Sequence, residues 1–98
     1  MRIKVEILPW LSDTMRPGSI GSLRFEHQMV GATVGDLLEE LSQVDAAFGQ
    51  LIYDRQSREL RYPVRAIVNE QLLEFLHGLD TKLSDGDTVT FMAAYTGG

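Results

Sequence analysis

One stretch of the chain has the periodicity of an α-helix, and it lies between segments that alternate with the period of β-strands. Its apolar residues recur at i, i+3, i+4, i+7 and i+10 and form one stripe: Val34, Leu37, Leu38, Leu41 and Val44. Thr33 precedes the stripe and Asp36 follows three residues later, a pattern in which the hydroxyl caps the first helical amides and the carboxylate reaches back. We therefore predict one main helix over residues 33–44.

The segments before this helix alternate with period two, the pattern of half-buried strands. The first is residues 2–8, whose predicted core-facing side chains are Ile3, Val5 and Ile7. Pro9 ends this strand, and residues 9–21, which contain glycine, proline and serine, are predicted to form a loop or wide turn. Residues 23–28 alternate again, with Leu23 and Phe25 on one face, so the first two elements are predicted to form a hairpin.

The segments after the helix are shorter. They are predicted to be a helical turn under the core, a polar hairpin-like stretch, a strand, a short edge strand and a last strand: residues 48–53, 54–59, 64–69, 72–76 and 88–94. In the turn before the last strand, residues 84–87, Gly86 is free to take positive φ. Val89 and Phe91 are the predicted core-facing residues of the last strand.

This order of elements predicts an α+β fold. A right-handed crossing of the helix places the last strand beside the first, parallel to it and in the centre of the sheet. That arrangement is the β-grasp, with a mixed sheet of four to five strands and one main helix packed across one face. We predict a single domain over residues 1–98, with 95–98 as a flexible carboxyl-terminal tail.

Composition excludes several kinds of chemistry. The chain has no cysteine, so it cannot form disulfides or thiolate-ligated metal centres, and its two histidines give no basis for a metal site; we predict no metal and no cofactor. Fourteen acidic and nine basic residues give a net charge of −5, which argues against nucleic acid and anionic membrane as partners. No segment has the apolar length of a signal peptide or a membrane span, so a cytoplasmic protein is expected.

No side-chain arrangement in the sequence points to catalysis. His27 lies in a predicted strand and His77 beside a turn glycine, with no motif around either, so both are interpreted as surface or internally satisfied residues. Asp85 and Asp87 flank Gly86 but lack the spacing of a calcium loop, and we interpret them as turn residues. We predict no catalytic residue.

The last two residues, Gly97 and Gly98, follow the predicted central strand. A glycine tail at this place projects from a rigid body and can enter a channel that is too narrow for a Cβ atom. The reactive group at its tip is the α-carboxylate of Gly98. The pair alone is a weak signal, and its position after the central strand gives it weight.

The ordered set of segments resembles the ubiquitin-like sulfur carriers, which include the small subunit of molybdopterin synthase and the thiazole-pathway carrier. The residues that carry the resemblance are 33–41, TVGDLLEEL, the pair Val68-Asn69, and 83–91, LSDGDTVTF, with the terminal Gly97-Gly98. The segments 58–61, RELR, and 78–83, GLDTKL, are closer to the cysteine-biosynthesis carrier and the archaeal small modifier branch. The resemblance covers essentially the whole chain.

The resemblance implies a mechanism at Gly98. An ATP-dependent activating enzyme, MoeB/ThiF-like, adenylates the glycine carboxylate, and a sulfur donor converts the acyl-adenylate to a thiocarboxylate. The sulfur then passes to an acceptor synthase or large subunit in cofactor, cysteine or thionucleoside biosynthesis. By this account Gly98 is the site of covalent attachment, Gly97 gives access, and the protein is a co-substrate or the non-catalytic small subunit of a synthase.

Alternation also suggests where partners bind. With the core residues of both strands facing inward, Leu8 and Met92 fall on the outer face, where they would form an apolar patch that Leu72 could extend. The resemblance implies that this patch grips the activating enzyme or acceptor; ordinary residues at the edge of the core are the alternative. Many relatives place proline just before the tail, whereas this chain has Ala93-Ala94, which leaves the particular acceptor open.

Two other functions fit the same residues. The activated Gly98 could form isopeptide bonds, which would make the protein a ubiquitin-like modifier; Lys4 and Lys82, the only lysines, would then be the sites of self-conjugation. A non-covalent ubiquitin-like binding module would instead use the sheet surface. Deletion of Gly97 and Gly98 separates that module from both acyl-transfer functions.

Overall fold

The computed structural model describes residues 1–18 and 21–94, in which strands and short helices follow one another. The strands are β1 (Arg2–Ile7), β2 (Leu23–Gln28), β3 (Tyr53–Asp54), β4 (Glu59–Leu60), β5 (Val64–Val68), β6 (Gln71–Leu72) and β7 (Thr88–Ala93). The helices are α1 (Pro9–Met15), α2 (Val34–Val44) and α3 (Ala46–Leu51), and 3₁₀ turns lie at Leu73–Phe75 and Gly78–Asp80. None of the helices in these residues has the length and hydrophobicity needed to cross a membrane.

Within the described residues, five strands form one mixed sheet in the order β2-β1-β7-β5-β6, and β3 and β4 form a separate hairpin. β1 is antiparallel to β2 and parallel to β7, and β7 is antiparallel to β5. The last strand therefore lies in the sheet centre beside the first. This confirms the α+β, β-grasp arrangement predicted from the order of elements.

The hydrophobic core lies between one face of the sheet and the helices. Its members from the sheet include every predicted inward residue of β1 and β7, and its members from α2 are the first four residues of the predicted stripe: Ile3, Val5, Ile7, Val89, Phe91, Val34, Leu37, Leu38 and Leu41. The predicted helical turn after α2 is α3, which packs Phe48 into the same core. The period-two pattern and the helical pattern thus predicted the sheet layer and the helix layer correctly.

Val44, the last residue of the predicted stripe, does not belong to the core. It is 72% exposed at the end of α2. On the helical wheel Val44 lies only about 20° beyond Leu37, which is fully buried, so its exposure follows from its place as the last residue of α2 and not from its angle. The prediction of α2 is confirmed, and that of Val44 as a core residue is wrong.

Residues 9–15 form helix α1, where the sequence predicted a loop. Pro9 occupies the start of the helix, a position that tolerates proline because the first helical N–H groups have no partner within the helix. Leu11 and Met15, four residues apart, are buried in the core. The Ser12 hydroxyl donates to the carbonyl of Gly21 at 2.8 Å, which ties the helix to the segment before β2, and its oxygen also lies 3.0 Å from the carbonyl oxygen of Pro9.

The predicted edge strand at 72–76 is shorter than expected. Only Gln71–Leu72 pairs with β5, and the chain then turns through the 3₁₀ turn Leu73–Phe75, which buries Leu73 and exposes Phe75. At the opposite edge of the sheet β2 forms as predicted. Its Phe25 side chain is 37% exposed, because no further strand in the described residues pairs with the free edge of β2.

Candidate functional site

Strand β7 leads to the predicted tail and is hydrogen-bonded on both sides. On the β1 side the Leu8 N–H donates to the Phe91 carbonyl at 3.0 Å. On the β5 side the Ala94 N–H donates to the Pro63 carbonyl at 2.8 Å. The backbone is thus held in place up to Ala94, four residues before Gly98.

Gly97 and Gly98 belong to residues 95–98, which lie outside the described residues. Covalent attachment at Gly98 and access at Gly97 therefore stay predictions, as does the extent of the tail. The structure describes β7, the strand that leads to this tail and supports it.

The core-facing side chains of β7 anchor this strand in the hydrophobic core. Val89 and Phe91 are fully buried, and the Phe91 ring meets the Phe48 ring edge to face, with centroids 5.3 Å apart. Burying a side chain of this size stabilises the fold by roughly 2 kcal/mol, and an aromatic pair adds about 1 kcal/mol. β7 is therefore firmly fixed along its length.

Leu8 and Met92 lie side by side at the carboxyl end of β7. The register of β1 and β7 pairs Ile7 with Phe91, so the next residues, Leu8 and Met92, are neighbours. Both are half-buried, and each follows a core-facing side chain in extended backbone, which places them on the outer face of the sheet. The structure brings these two predicted residues together.

Leu72 lies on the same face, but away from that pair. β6 pairs Leu72 with Ile67, and β5 in turn pairs Ile67 with Thr90, one row further from the end of β7. The neighbour of Met92 on β5 is Arg65. Ile67, half-buried, is a residue that sequence reasoning missed, although its alternation with the buried residues of β5 could have identified it. We call Leu8, Met92, Ile67 and Leu72 the outer apolar face.

Two exposed aromatic side chains adjoin the carboxyl end of β7. Trp10, two residues after Leu8, is 53% exposed, and Tyr62, next to Pro63, is 74% exposed. Leu8 and Pro63 bond β7 from its two sides, so Trp10 and Tyr62 belong to the two segments that flank the end of this strand. Sequence reasoning missed both, since Trp10 fell in a presumed loop and nothing around Tyr62 marks it.

The remainder of the outer face carries paired charges. Arg24 Nε lies 2.7 Å from Glu6 Oε2, Arg2 Nε lies 3.4 Å from Glu26 Oε2, and Arg65 lies 3.2 Å from Glu74. Exposed pairs of this kind contribute about 0–1 kcal/mol each to stability. Their effect here is to border the outer apolar face with charge.

His27 is internally satisfied, as interpreted from the sequence. Its Nε2 lies 2.8 Å from Glu40 Oε1, and Glu40 also accepts the N–H groups of Val30 at 3.1 Å and Gly31 at 2.8 Å. Burial raises the pKa of Glu40, but the hydrogen bonds from Gly31, His27 and Val30 outweigh it, so the pKa lies below its ordinary value. This cluster joins β2 to α2.

Asp85 and Asp87 are turn residues, as predicted. The Arg2 N–H donates to Asp85 Oδ1 at 2.7 Å, and the Ser84 N–H donates to Asp87 Oδ2 at 2.8 Å. Gly86 between them has φ of +89°. Across residues 1–18 and 21–94, no three histidine or acidic side chains are grouped so as to hold a metal ion.

The central parallel β7, the crossing helix α2 and the strand order define a ubiquitin-like protein of the β-grasp class. Sequence comparison goes further, because the model of the ThiS family matches residues 23–98. The chain belongs to the ThiS family, and it is a ubiquitin-like sulfur carrier. Comparison with curated proteins gave no match.

Solved structures of similar proteins agree with this assignment. CysO of Amycolatopsis orientalis, solved in complex with BexX, is 26% identical, with a TM-score of 0.63 over 96% of this chain and 99% of that one. Urm1 of Trypanosoma brucei is 25% identical, with a TM-score of 0.68 over 99% of this chain and 95% of that one. The small archaeal modifier protein 1 of Methanosarcina acetivorans, 22% identical, has a TM-score of 0.71 over 99% and 96% of the two chains and shares the fold.

Proposed function

We propose that this sulfur carrier holds its sulfur as a thiocarboxylate on Gly98, after adenylation of the Gly98 carboxylate by an ATP-dependent, MoeB/ThiF-like activating enzyme. The observation that carries the proposal is the anchoring of β7, which is bonded on both sides up to Ala94. A central, buried strand fixes the place of Ala94, the last described residue before Gly98. A partner that docks beside β7 can therefore find Gly98 within a short distance.

Adenylation removes the chemical obstacle to reaction at a carboxylate. Attack on a carboxylate adds charge to a group that is already anionic. Attack of a Gly98 oxygen on the α-phosphorus of ATP releases pyrophosphate and gives an acyl-adenylate, in which the acyl group no longer carries a charge and AMP is a good leaving group. Hydrosulfide from the sulfur donor then attacks the carbonyl carbon and AMP leaves with the electron pair of the broken C–O bond, so that the sulfur remains on that carbon as a thiocarboxylate. Because the chain has no cysteine, it has no other place to hold that sulfur covalently.

Gly97 is proposed to give the activating enzyme access to Gly98. A residue without a Cβ atom lets a narrow channel close on the backbone from both sides. Gly97→Ala adds one methyl group, leaves the Gly98 carboxylate chemically intact and should slow activation. The matched control is Gly49→Ala in α3, where a Cβ would meet Ser42 at an ordinary 3.6 Å.

The outer apolar face is proposed as the docking surface for the activating enzyme and for the sulfur-acceptor synthase or large subunit. Met92 lies at the carboxyl end of β7 with Leu8 beside it, and Leu72 extends the surface through Ile67. The structure of CysO with BexX is a precedent for a similar carrier held by a partner protein. In this role the protein is a co-substrate and the partner supplies the catalysis.

Intact-mass measurement tests the proposal. Incubation with the cognate activating enzyme, ATP and a sulfur donor should convert the protein to a species with one oxygen replaced by sulfur, and Gly97→Ala should slow this conversion more than Gly49→Ala. Only unmodified carboxylate in the complete reaction would refute thiocarboxylate formation. A product joined to Lys4 or Lys82 through an isopeptide bond would instead identify a modifier.

A further inference from the structure

The β2 edge of the sheet is long and regular. β2 pairs with β1 over all six residues from Leu23 to Gln28 and has no other strand neighbour in the described chain. Its sequence contains no proline or lysine, two residues that commonly protect a sheet edge, and its charged residues are one arginine and one glutamate. The opposite edge, β6, has only two residues before a 3₁₀ turn. β2 is therefore the edge that is open to strand addition.

Hydrogen bonding on β2 leaves a complete row of backbone groups facing outward. The Met29 N–H donates to the Met1 carbonyl at 2.7 Å. Because hydrogen-bonded and non-hydrogen-bonded pairs alternate along an antiparallel pair of strands, this bond determines which residues of β2 bond β1. The odd-numbered residues of β2 accordingly bond β1. The N–H and C=O groups of Arg24, Glu26 and Gln28 point away from the sheet, in the positions that an added strand would bond.

An apolar groove lies directly behind this edge. It has a volume of about 420 Å³ between β2 and the end of α2, and its apolar lining includes Met15, Leu23, Phe25, Leu41 and Val44. Phe25 and Val44, on opposite walls, are the exposed members. An added strand would cover this apolar surface in addition to making backbone hydrogen bonds.

We propose that a second copy of this chain adds its β2 antiparallel to this β2, in a register centred on Phe25. In that register Arg24 of each copy lies opposite Glu26 of the other, twice by symmetry, on the outer face. Phe25 then faces Phe25 of the second copy in the closely spaced, non-hydrogen-bonded position, over the groove. The charge pattern of β2 is thus complementary to itself.

The neighbouring registers are disfavoured by the same charges. Because the outward backbone groups belong to even-numbered residues, the register can shift only in steps that keep even residues opposite even residues. One step in either direction sets Glu26 against Glu26 or Arg24 against Arg24, and like charges directly opposite destabilise a strand pair. The Phe25-centred register alone joins opposite charges on both sides.

Self-pairing at β2 is compatible with a free carboxyl end. β1 separates β2 from β7, and β7 runs antiparallel to β2. In the two-fold dimer the two β7 strands therefore run in opposite directions and end at opposite sides of the extended sheet. Each copy keeps its outer apolar face and its own Gly98, so this interface is independent of the thiocarboxylate chemistry.

Two charge reversals test the register. Arg24→Glu sets two carboxylates against each other at both cross-strand positions, and Glu26→Arg sets two guanidinium groups against each other there. Each variant alone should therefore self-associate at least tenfold more weakly than the wild type in sedimentation equilibrium. An equimolar mixture of the two variants restores opposite charges at both positions and should recover dimers. Arg55→Glu and Glu74→Arg are matched controls, because each breaks an exposed pair, with Glu39 and Arg65 respectively, in which neither partner belongs to β2.

Amide exchange supplies a second readout on the wild-type protein. The N–H groups of Arg24, Glu26 and Gln28 should exchange quickly in dilute solution and become protected as concentration rises, while those of Phe25 and His27 stay protected throughout. A protein that remains monomeric up to about 1 mM, the limit of weak association, would overturn the proposal. So would a mixture of the two charge variants that associates no more strongly than either variant alone.

Discussion

The start of α2 shows how individual residues set a boundary. Thr33 Oγ1 accepts the Asp36 N–H at 3.2 Å, and Asp36 Oδ2 accepts the N–H groups of Ala32 at 2.9 Å and Thr33 at 3.1 Å. These backbone bonds hold the pKa of Asp36 below its ordinary value, because they favour the charged carboxylate. The carboxylate satisfies N–H groups that have no partner within the helix and lies at the positive end of its dipole.

Replacing Asp36 by alanine should therefore cost about 1 kcal/mol of unfolding free energy at neutral pH. The pKa of Asp36 is depressed in the folded protein, so this contribution is present above the unfolded-state pKa and is lost as pH falls through the folded value. The difference between wild type and Asp36→Ala should shrink below about pH 4. Urea unfolding at neutral and acid pH measures it, with Asp13→Ala, an exposed change on α1, as control. A difference that persists undiminished in acid would rule out the carboxylate as its source.

Helices and strands depend on close contacts between residues as well as on the local sequence pattern. Before α2, the backbone of Gly31 makes such a close contact with the side chain of Asp36. A Cβ at Gly31 would overlap the side chain of Asp36, the residue that caps the helix. Gly49 within α3 is the opposite case, because a Cβ there meets only Ser42 at 3.6 Å or more. The same substitution should thus have opposite effects in two neighbouring elements.

Gly31→Ala is expected to destabilise the protein by about 1–3 kcal/mol, because the new methyl group displaces the capping carboxylate. Gly49→Ala is expected to stabilise it by about 0.5–1 kcal/mol, since alanine loses less backbone entropy in a helix than glycine. Thermal or urea unfolding of both variants gives the comparison. Equal effects of the two substitutions would mean that the contact between position 31 and Asp36 does not govern the start of α2.

Local patterns predicted those elements whose signals are local. α2 carries its cap and its stripe within twelve residues, and β1 and β7 carry their alternation within six or seven, so these three were found from the sequence. α1 was missed because Pro9 was interpreted as the end of a strand, when it is also a good first residue of a helix. The bond from Ser12 to Gly21 that holds α1 in place joins segments nine residues apart and leaves no periodic signal.

At the scale of the whole molecule, the sequence predicted which residues face outward but not how far apart they lie. Alternation placed Leu8 and Met92 on one face, and Leu72 was predicted as a possible extension of their patch. Distance across a sheet depends on strand order and register, and β5 with Ile67 separates Leu72 from the other two. The aromatic neighbours Trp10 and Tyr62 come from a helix start and a loop, where no periodicity marks them. The strand that leads to the tail, β7, was thus predictable from the sequence. The arrangement of the surface residues around its carboxyl end was not.

Docking through the outer apolar face predicts a local effect at Met92. Met92→Asp replaces an apolar contact beside β7 with a charge, and loss of a contact near the centre of an interface typically costs at least about 2 kcal/mol, or roughly 30-fold in affinity. We expect kcat/KM for thiocarboxylate formation to fall by about that factor, chiefly through KM. Because Met92 is half-buried in a central strand, where aspartate is disfavoured, unfolding free energy should fall by about 1–2 kcal/mol, which leaves the variant folded.

Val30→Asp separates the contact from the added charge. Val30 is 95% exposed in the segment between β2 and α2, so its replacement adds the same charge to a protein of net charge −5 without touching the outer apolar face. Long-range repulsion or attraction by the activating enzyme should change kcat/KM of both variants by the same factor. This effect weakens with salt, since charges more than about 10 Å apart are screened at 0.1 M ionic strength. A contact at Met92 predicts a loss that exceeds that of Val30→Asp and persists at high salt. Equal losses that vanish together with salt would place the docking surface elsewhere on the molecule.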